Sequence, residues 1–242
     1  MGNKASERWG HLSRRALDLL FPPRCAGCGA LGEVWCAKCH ASVRRIAEPL
    51  CQRCGLPGAH AADCPACANH SFSFDASRSW GVYTTELRQA ILSLKHRENA
   101  GLGAVFARFL YRVLAAHDWP VDVLIPIPLG PQRLLQRGYN QSALLARPLG
   151  ELAGLHYAER ALLRRHDTLP QFELNAAERW TNLQGVFVAD PAPLAGLSVL
   201  LVDDIMTTGA TLDSAARALR EAGAKGVYGL TLARALAVTR DP

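Results

Sequence analysis

No stretch of this chain stays apolar for the roughly 20 residues that a helix needs to cross a bilayer, so no membrane span is expected. Nor does the start, residues 1–15, hold a compact apolar core behind its scattered charges, which argues against a secretory signal and for a cytoplasmic protein. Met1 to Ser6 matches the short N-myristoylation pattern, but that pattern has meaning only in a eukaryotic cell. Trp9, Leu12, Ala16, Leu19 and Leu20 instead predict a short amphipathic helix stopped by Pro22-Pro23. Strong charge of one sign is missing as well. Residues 1–80 carry 10 Lys/Arg against 6 Asp/Glu, and residues 81–242 carry 17 against 15, for a net +6. So small an excess makes the pI near 9.0 weak evidence for a nucleic-acid partner. Cysteine is absent after Cys67: all eight lie between Cys25 and Cys67, and the chain divides itself there. Its 242 residues, 49% apolar and 20% charged, suffice for one full α/β domain and a smaller module.

What the cysteines do follows from their spacing. Cys25-x-x-Cys28, Cys36-x-x-Cys39, Cys51-x-x-Cys54 and Cys64-x-x-Cys67 are four CxxC knuckles, each putting two thiolates on one tight turn. Two such turns make a tetrahedral sulfur site that suits zinc, and Gly27, Gly29 and Gly55 give the turns their freedom. A disulfide scaffold would want a secretory context, and a thioredoxin-like redox motif would not recur four times. Two structural zinc ions are therefore expected, bound by sequential pairs or by an interleaved cross-brace. His40, His60 and His70 read as surface or supporting residues, because each site already has four thiolates. A closed site leaves no position for catalysis, so the module is expected to be a scaffold or docking surface.

Beyond a linker over 71–79, strand and helix patterns alternate. Strands are expected over 80–83, 121–125, 157–163, 185–188 and 226–232, with helices over 84–96, 102–116, 140–153 and 175–182. Such alternation implies a parallel sheet flanked by helices, with ligands gathered at the carboxyl ends of its strands. The expected domains are an N-terminal helix over 1–23, a double zinc-ribbon module over 24–70, the linker, and an α/β domain over 80–242.

The chemistry concentrates at Val199-Leu200-Leu201-Val202-Asp203-Asp204, which leads through Ile205 and Met206 to Thr207-Thr208-Gly209-Ala210-Thr211 and a helical pattern from Leu212. A buried strand runs into two carboxylates, then a hydroxyl- and glycine-bearing loop opens a helix, whose N–H groups and dipole favour a phosphate. Two carboxylates ~6 Å apart at an effective dielectric of ~20 repel by ~3 kcal/mol, which counts against a purely structural role. A vicinal diol fits them, so the segment spells a sugar 5-phosphate. It resembles the 5-phosphoribosyl-1-pyrophosphate (PRPP) motif of type I phosphoribosyltransferases. That resemblance implies that Asp203 and Asp204 hold the ribose hydroxyls and that Thr207, Thr208, Gly209, Ala210 and Thr211 hold the 5-phosphate.

Pro126-x-Pro128-Leu129 delivers Arg133, Arg137, Asn140 and Gln141 to the same sheet edge, where cationic forks and amide donors can grip pyrophosphate. Arg133 and Arg137 as one solvated i,i+4 face is the plainer alternative. Between the two loops lies the polar stretch 164–172, ahead of Arg179 and Asn182. In type I phosphoribosyltransferases a mobile loop at this place in the order closes over bound pyrophosphate. Arg165, Gln171 and Arg179 are the candidate catalytic contacts on that basis, with His166 a guess at a general base.

The whole order, from Pro22 to Arg234, resembles the ComF/GntX family of competence-associated phosphoribosyltransferase-like proteins. The carriers are the double CxxC module, Leu87-Arg88 to Leu94-Lys95, Arg137-Gly138-x-Asn140-Gln141-Ser142, Thr168 with Gln171, Glu178-Arg179 with Asn182, and the PRPP loop. His96 departs from the pattern, since an aromatic residue commonly follows the lysine. The family implies a type I phosphoribosyltransferase fold, PRPP with Mg2+, and a bacterial cytoplasmic role in handling single-stranded DNA during natural transformation, often beside a helicase. Three readings follow: an enzyme displacing pyrophosphate from PRPP, a PRPP- or single-strand-binding module without turnover, and an adaptor docking a helicase or other competence protein through its zinc module. No stretch is recognisable as a base-binding hood, so the acceptor is unnamed.

Overall fold

The computed structural model describes residues 22–59, 63–95, 101–167, 176–192 and 194–236. The helix expected before Pro22, together with His60, His96, Thr168 and Gln171, lies outside them.

Five strands form a parallel sheet in the order β1 (Ala76–Val82), β7 (Gly226–Arg234), β6 (Ser198–Met206), β2 (Val123–Pro126) and β3 (His156–Tyr157). Strands β2, β6 and β7 are apolar on both faces because both faces are covered. Helices α3 (Thr85–Ser93), α4 (Leu102–Ala115) and α6 (Gln141–Ala153) pack on one face through Leu87, Phe106, Leu110, Leu145 and Leu149. Helix α8 (Ala210–Glu221) covers the other with Leu212, Ala215, Ala216 and Leu219. A separate antiparallel pair, β4 (Leu162–Arg164) and β5 (Phe187–Ala189), packs through β5 on α8, which α7 (Ala176–Thr181) also meets.

Four expectations need correcting. The strand placed over 80–83 begins at Ala76, inside the stretch read as linker, since Ser77, Arg78 and Ser79 mask it with polar side chains that find buried partners. The strand over 157–163 is two strands in different sheets, broken by a turn at Glu159-Arg160. Strand β6 carries on through both carboxylates to Met206 in place of ending before them. Finally, Arg133 and Arg137 belong to a short helix, α5 (Pro131–Arg137), opened by a proline at its first position. The carboxylate of Asp167, from the stretch after β4, accepts the Gln132 N–H there at 2.8 Å.

The cysteine module is not a pendant. Its small helices α1 (Ala37–Ser42) and α2 (Pro65–Asn69) each begin right after a cysteine. Cys25, Trp35 and Cys39 join the core on the α4 face, where Trp35 meets Phe106 edge-on at 5.3 Å. Cys51, Cys54 and Cys64 join the core on the α8 face with Phe72 and Phe74. The module thus straddles the outer edge of β1. Along that edge the Ser77 N–H donates to Arg53 O at 2.7 Å and the Val82 N–H to Arg44 O at 2.9 Å. Gly55 allows the approach: at φ +66, a Cβ there would lie 2.5 Å from Ser77 O.

Candidate functional site

Two centres of cysteine are built. Cys25, Cys28, Cys36 and Cys39 form one set and Cys51, Cys54, Cys64 and Cys67 the other, with the sulfurs of each within 4.8 Å of one another. Sequential pairing is therefore the arrangement adopted. The Cys28–Cys36, Cys51–Cys67 and Cys54–Cys64 sulfurs lie 3.7, 3.5 and 3.5 Å apart. Those separations are too long for disulfides and close to the roughly 3.8 Å edge of a tetrahedron with Zn–S bonds of about 2.3 Å. The donor set fits structural zinc. Burial pushes the Cys25 and Cys51 thiols up, but backbone N–H donors outweigh it and bring them down to about 6 and about 7. A zinc tetrathiolate carries a charge of −2, which a buried site must offset. At the second site the buried Arg234 donates to Cys54 O, with its Nη2 3.9 Å from Cys54 Sγ, and Arg78 donates to Gln52 O at 3.0 Å.

At the carboxyl ends of the strands opens a cleft of about 620 Å3, whose lining includes Asp203, Asp204, Thr207, Thr211, Arg133, Arg137 and Gln141. The Asp203 carboxylate is held in place: its Oδ1 accepts from Ser142 Oγ at 2.8 Å and from the Asp204 N–H at 2.9 Å. Burial, and then the Asp204 carboxylate, push Asp203 well above the ordinary carboxylate range, against the Ser142 hydrogen bond. Asp204 Oδ2 is buried without a hydrogen-bond partner, and Lys95 Nζ lies 4.0 Å away. An orphaned carboxylate oxygen at the floor of an open cleft suits a ligand that brings hydroxyl donors or a cation. Next along the chain, Gly209 turns the backbone into α8 at φ +90. A Cβ there would come within 2.9 Å of both Met206 Cε and Phe72 Cε1, so the loop is pressed against the second-ribbon core. Thr208 Oγ1 accepts from the Ala210 N–H at 3.3 Å, which shapes the loop.

Opposite the acids stand Lys95, Arg133, Arg137 and Arg164, four cations facing two carboxylates. Arg137 donates to Gln141 Oε1, which aligns both side chains. Not every expected residue lines this cleft. Asn140 caps α6: its Oδ1 accepts from the Ser142 N–H at 3.1 Å and its Nδ2 donates to Ile127 O at 2.9 Å. Arg165 is exposed and does not line the cleft, with its N–H donated to Val186 O at 2.9 Å, and His166 is exposed too. Arg179 falls within α7, and Gln171 lies outside the described residues. Three polar lining residues were not among the expected contacts: Tyr83, Lys95 and Arg164. Strand parity was an available signal for the last, because in β4 Leu162 is buried and Leu163 exposed, which returns Arg164 inward. Burial and then Arg133 lower the Arg164 guanidinium, while Asp167 and Asp203 support it.

Comparison with known proteins matches two parts of the chain to known domains. Residues 16–68 match the double zinc ribbon domain and residues 161–242 the phosphoribosyl transferase domain. The chain is 33% identical over 208 residues to the "DNA utilization protein YhgH" of Salmonella typhimurium, covering 83% of this chain and 90% of that protein. It is 30% identical over 228 residues to "Competence protein ComFC" of Bacillus subtilis, covering 91% and 88%. Among solved structures, the glutamine PRPP amidotransferase from B. subtilis aligns with a TM-score of 0.41 at 18% identity, over 58% of this chain and 30% of that one, too loosely to carry an argument. With a relative this similar along nine-tenths of its length and both domains matched in order, the chain belongs to the ComF/GntX family of phosphoribosyltransferase-like proteins.

Proposed function

We propose that the cleft binds PRPP with Mg2+ and that the chain transfers, or holds without transferring, its phosphoribosyl group. The observation that carries this is the acid pair at the end of a central strand, one oxygen of it orphaned, between a loop at a helix N-terminus and four cations. Asp203 and Asp204 would accept the ribose hydroxyls and the segment from Thr207 to Thr211 would cradle the 5-phosphate. Arg133, Arg137 and Gln141, joined by Lys95 and Arg164, would hold the diphosphate. Magnesium, when bound with PRPP, supplies charge neutralisation for the leaving diphosphate. In transfer, an acceptor lone pair forms a bond to the anomeric carbon while the bond to diphosphate oxygen breaks, its electrons leaving with the diphosphate. Arg165 and Gln171 belong to the stretch 164–172 proposed to close over that oxocarbenium-like centre and exclude water, and Arg179 follows it on α7.

The names of the relatives, DNA utilization and competence proteins, support a role in handling DNA. A second reading follows from them: a cytoplasmic PRPP- or single-strand-binding adaptor that docks a helicase or other competence protein. The first ribbon favours it by presenting Leu31 at 60% exposure. Calorimetric titration of PRPP with magnesium into the wild type and Asp204→Ala tests the shared premise. Losing hydrogen bonds to a charged acceptor, worth about 1.5–3 kcal/mol, should weaken PRPP roughly 10- to 150-fold. Unchanged affinity in the variant would falsify the assignment. Diphosphate release across candidate acceptors then separates enzyme from adaptor.

A further inference from the structure

A second cavity, of about 480 Å3, lies between the cysteine module and the end of α4, and it shares no lining residue with the cleft. Arg45 and Glu48 reach it from the segment joining the two ribbons, Arg78 from β1, and Arg112 and His117 from the end of α4. Among the described residues none of the three arginines makes an ion pair with a carboxylate, although Glu48 supports Arg78 from farther away. Arg45 lies over the Trp80 ring at 4.0 Å, with its Nη2 2.9 Å from His40 Nε2. Arg112 makes no hydrogen bond or ion pair among the described residues, and the buried Arg78 leaves its Nε without a partner. Glu48 is the one lining carboxylate, and its Oε2 already accepts the Leu50 N–H at 2.8 Å. Burial and then Arg112 lower Arg45, and burial and then Arg78 lower His117, while Glu48 supports both Arg78 and His117. Three arginines that share one lining carboxylate in a cavity open to solvent favour a bound anion.

We propose that this seam is a second anion site, which takes the phosphate of a nucleotide. Two guanidinium forks from different elements, with His117 beside them, suit a group offering several acceptor oxygens. Ile46, Leu50 and Val113 supply an apolar wall for the rest of a nucleoside, and the volume suits one nucleotide. The nucleotide is either free or one unit of a single strand. Trp80 cannot serve as a stacking platform, because Arg45 covers one face and Phe109 stacks on it at 4.6 Å. Recognition therefore rests on the phosphate. This assignment does not depend on PRPP occupying the cleft.

The test titrates inorganic phosphate, thymidine 5′-monophosphate and a short oligodeoxythymidylate into the full chain at low salt. Arg112→Ala is the informative variant, since the side chain is exposed on the last helical turn and its loss spares the fold. Binding should weaken about tenfold or more, and Arg112→Lys should recover part of it. Asp204→Ala, which impairs the cleft, should bind these probes like the wild type. Monophosphate binding as tight as the oligomer marks a free-nucleotide site, and binding of the oligomer alone, with a salt slope reduced by about one in Arg112→Ala, marks a strand. The proposal is overturned if no probe binds, if Arg112→Ala and Arg45→Ala bind as the wild type does, or if an acidic peptide competes better than every phosphate probe.

Discussion

Asp203 sits in a buried carboxylate pair, and the cost of that placement varies with pH. Its folded pKa is raised by burial and by Asp204, so above about pH 4 the folded state retains a proton that the unfolded chain has released. Stability therefore falls as pH rises from there to the raised folded value, by about 1.4 kcal/mol per pH unit over the window where the two states differ by one proton. Asp203→Asn keeps an oxygen for Ser142 and the Asp204 N–H, so it should melt higher than the wild type at neutral pH and show a flatter slope between pH 5 and 7. Identical slopes in urea titrations would remove this account. The acid pair was legible in the sequence because its two members are adjacent and a structural role for them is hard to justify. Lys95 and Tyr83 were not, for they reach the cleft from the end of α3 and the end of β1, far from it in the chain. Arg164 is the last residue of β4 and Arg165 lies just beyond it, a boundary hidden in a stretch read as loop.

At the scale of elements, the amide at Asn140 is a cap. Asn140→Ala should cost about 1 kcal/mol of stability and leave PRPP titration close to wild type. Arg137→Ala should do the reverse, weakening PRPP with little change in melting. A variant at Asn140 that melts normally yet loses PRPP would return that side chain to the ligand. Helices α3, α4, α6 and α8 were legible because their apolar spacing is strong and their ends carry turn residues. Strand β1 was not, since its polar residues are satisfied only by partners distant in sequence. Ser79 Oγ meets Thr231 Oγ1 at 2.6 Å and Ser77 Oγ donates to Cys54 O at 3.1 Å. Helix α5 has seven residues and takes its cap from Asp167, which no local pattern announces.

For the molecule as a whole, the division at Cys67 that composition suggests is not a division of the core. Each ribbon is built into one of the two hydrophobic layers, so zinc binding and folding of the sheet are linked. The zinc-loaded chain should unfold in one calorimetric transition, and stripping the metal should move that same transition down. Two separate transitions, only the lower of them sensitive to chelation, would show that the ribbons fold by themselves.

The backbone bonds from Arg53 and Arg44 to β1 carry a further consequence. Those bonds, with the antiparallel bridge of Arg45 to Gly81, occupy the open side of a seven-residue edge strand. A chain whose ribbons come undone bares that side, and unpaired strand edges recruit other strands. Metal starvation or thiol oxidation would then show first as clumping, before any deficit of activity. The ribbons serve this fold as a guard against its own copies.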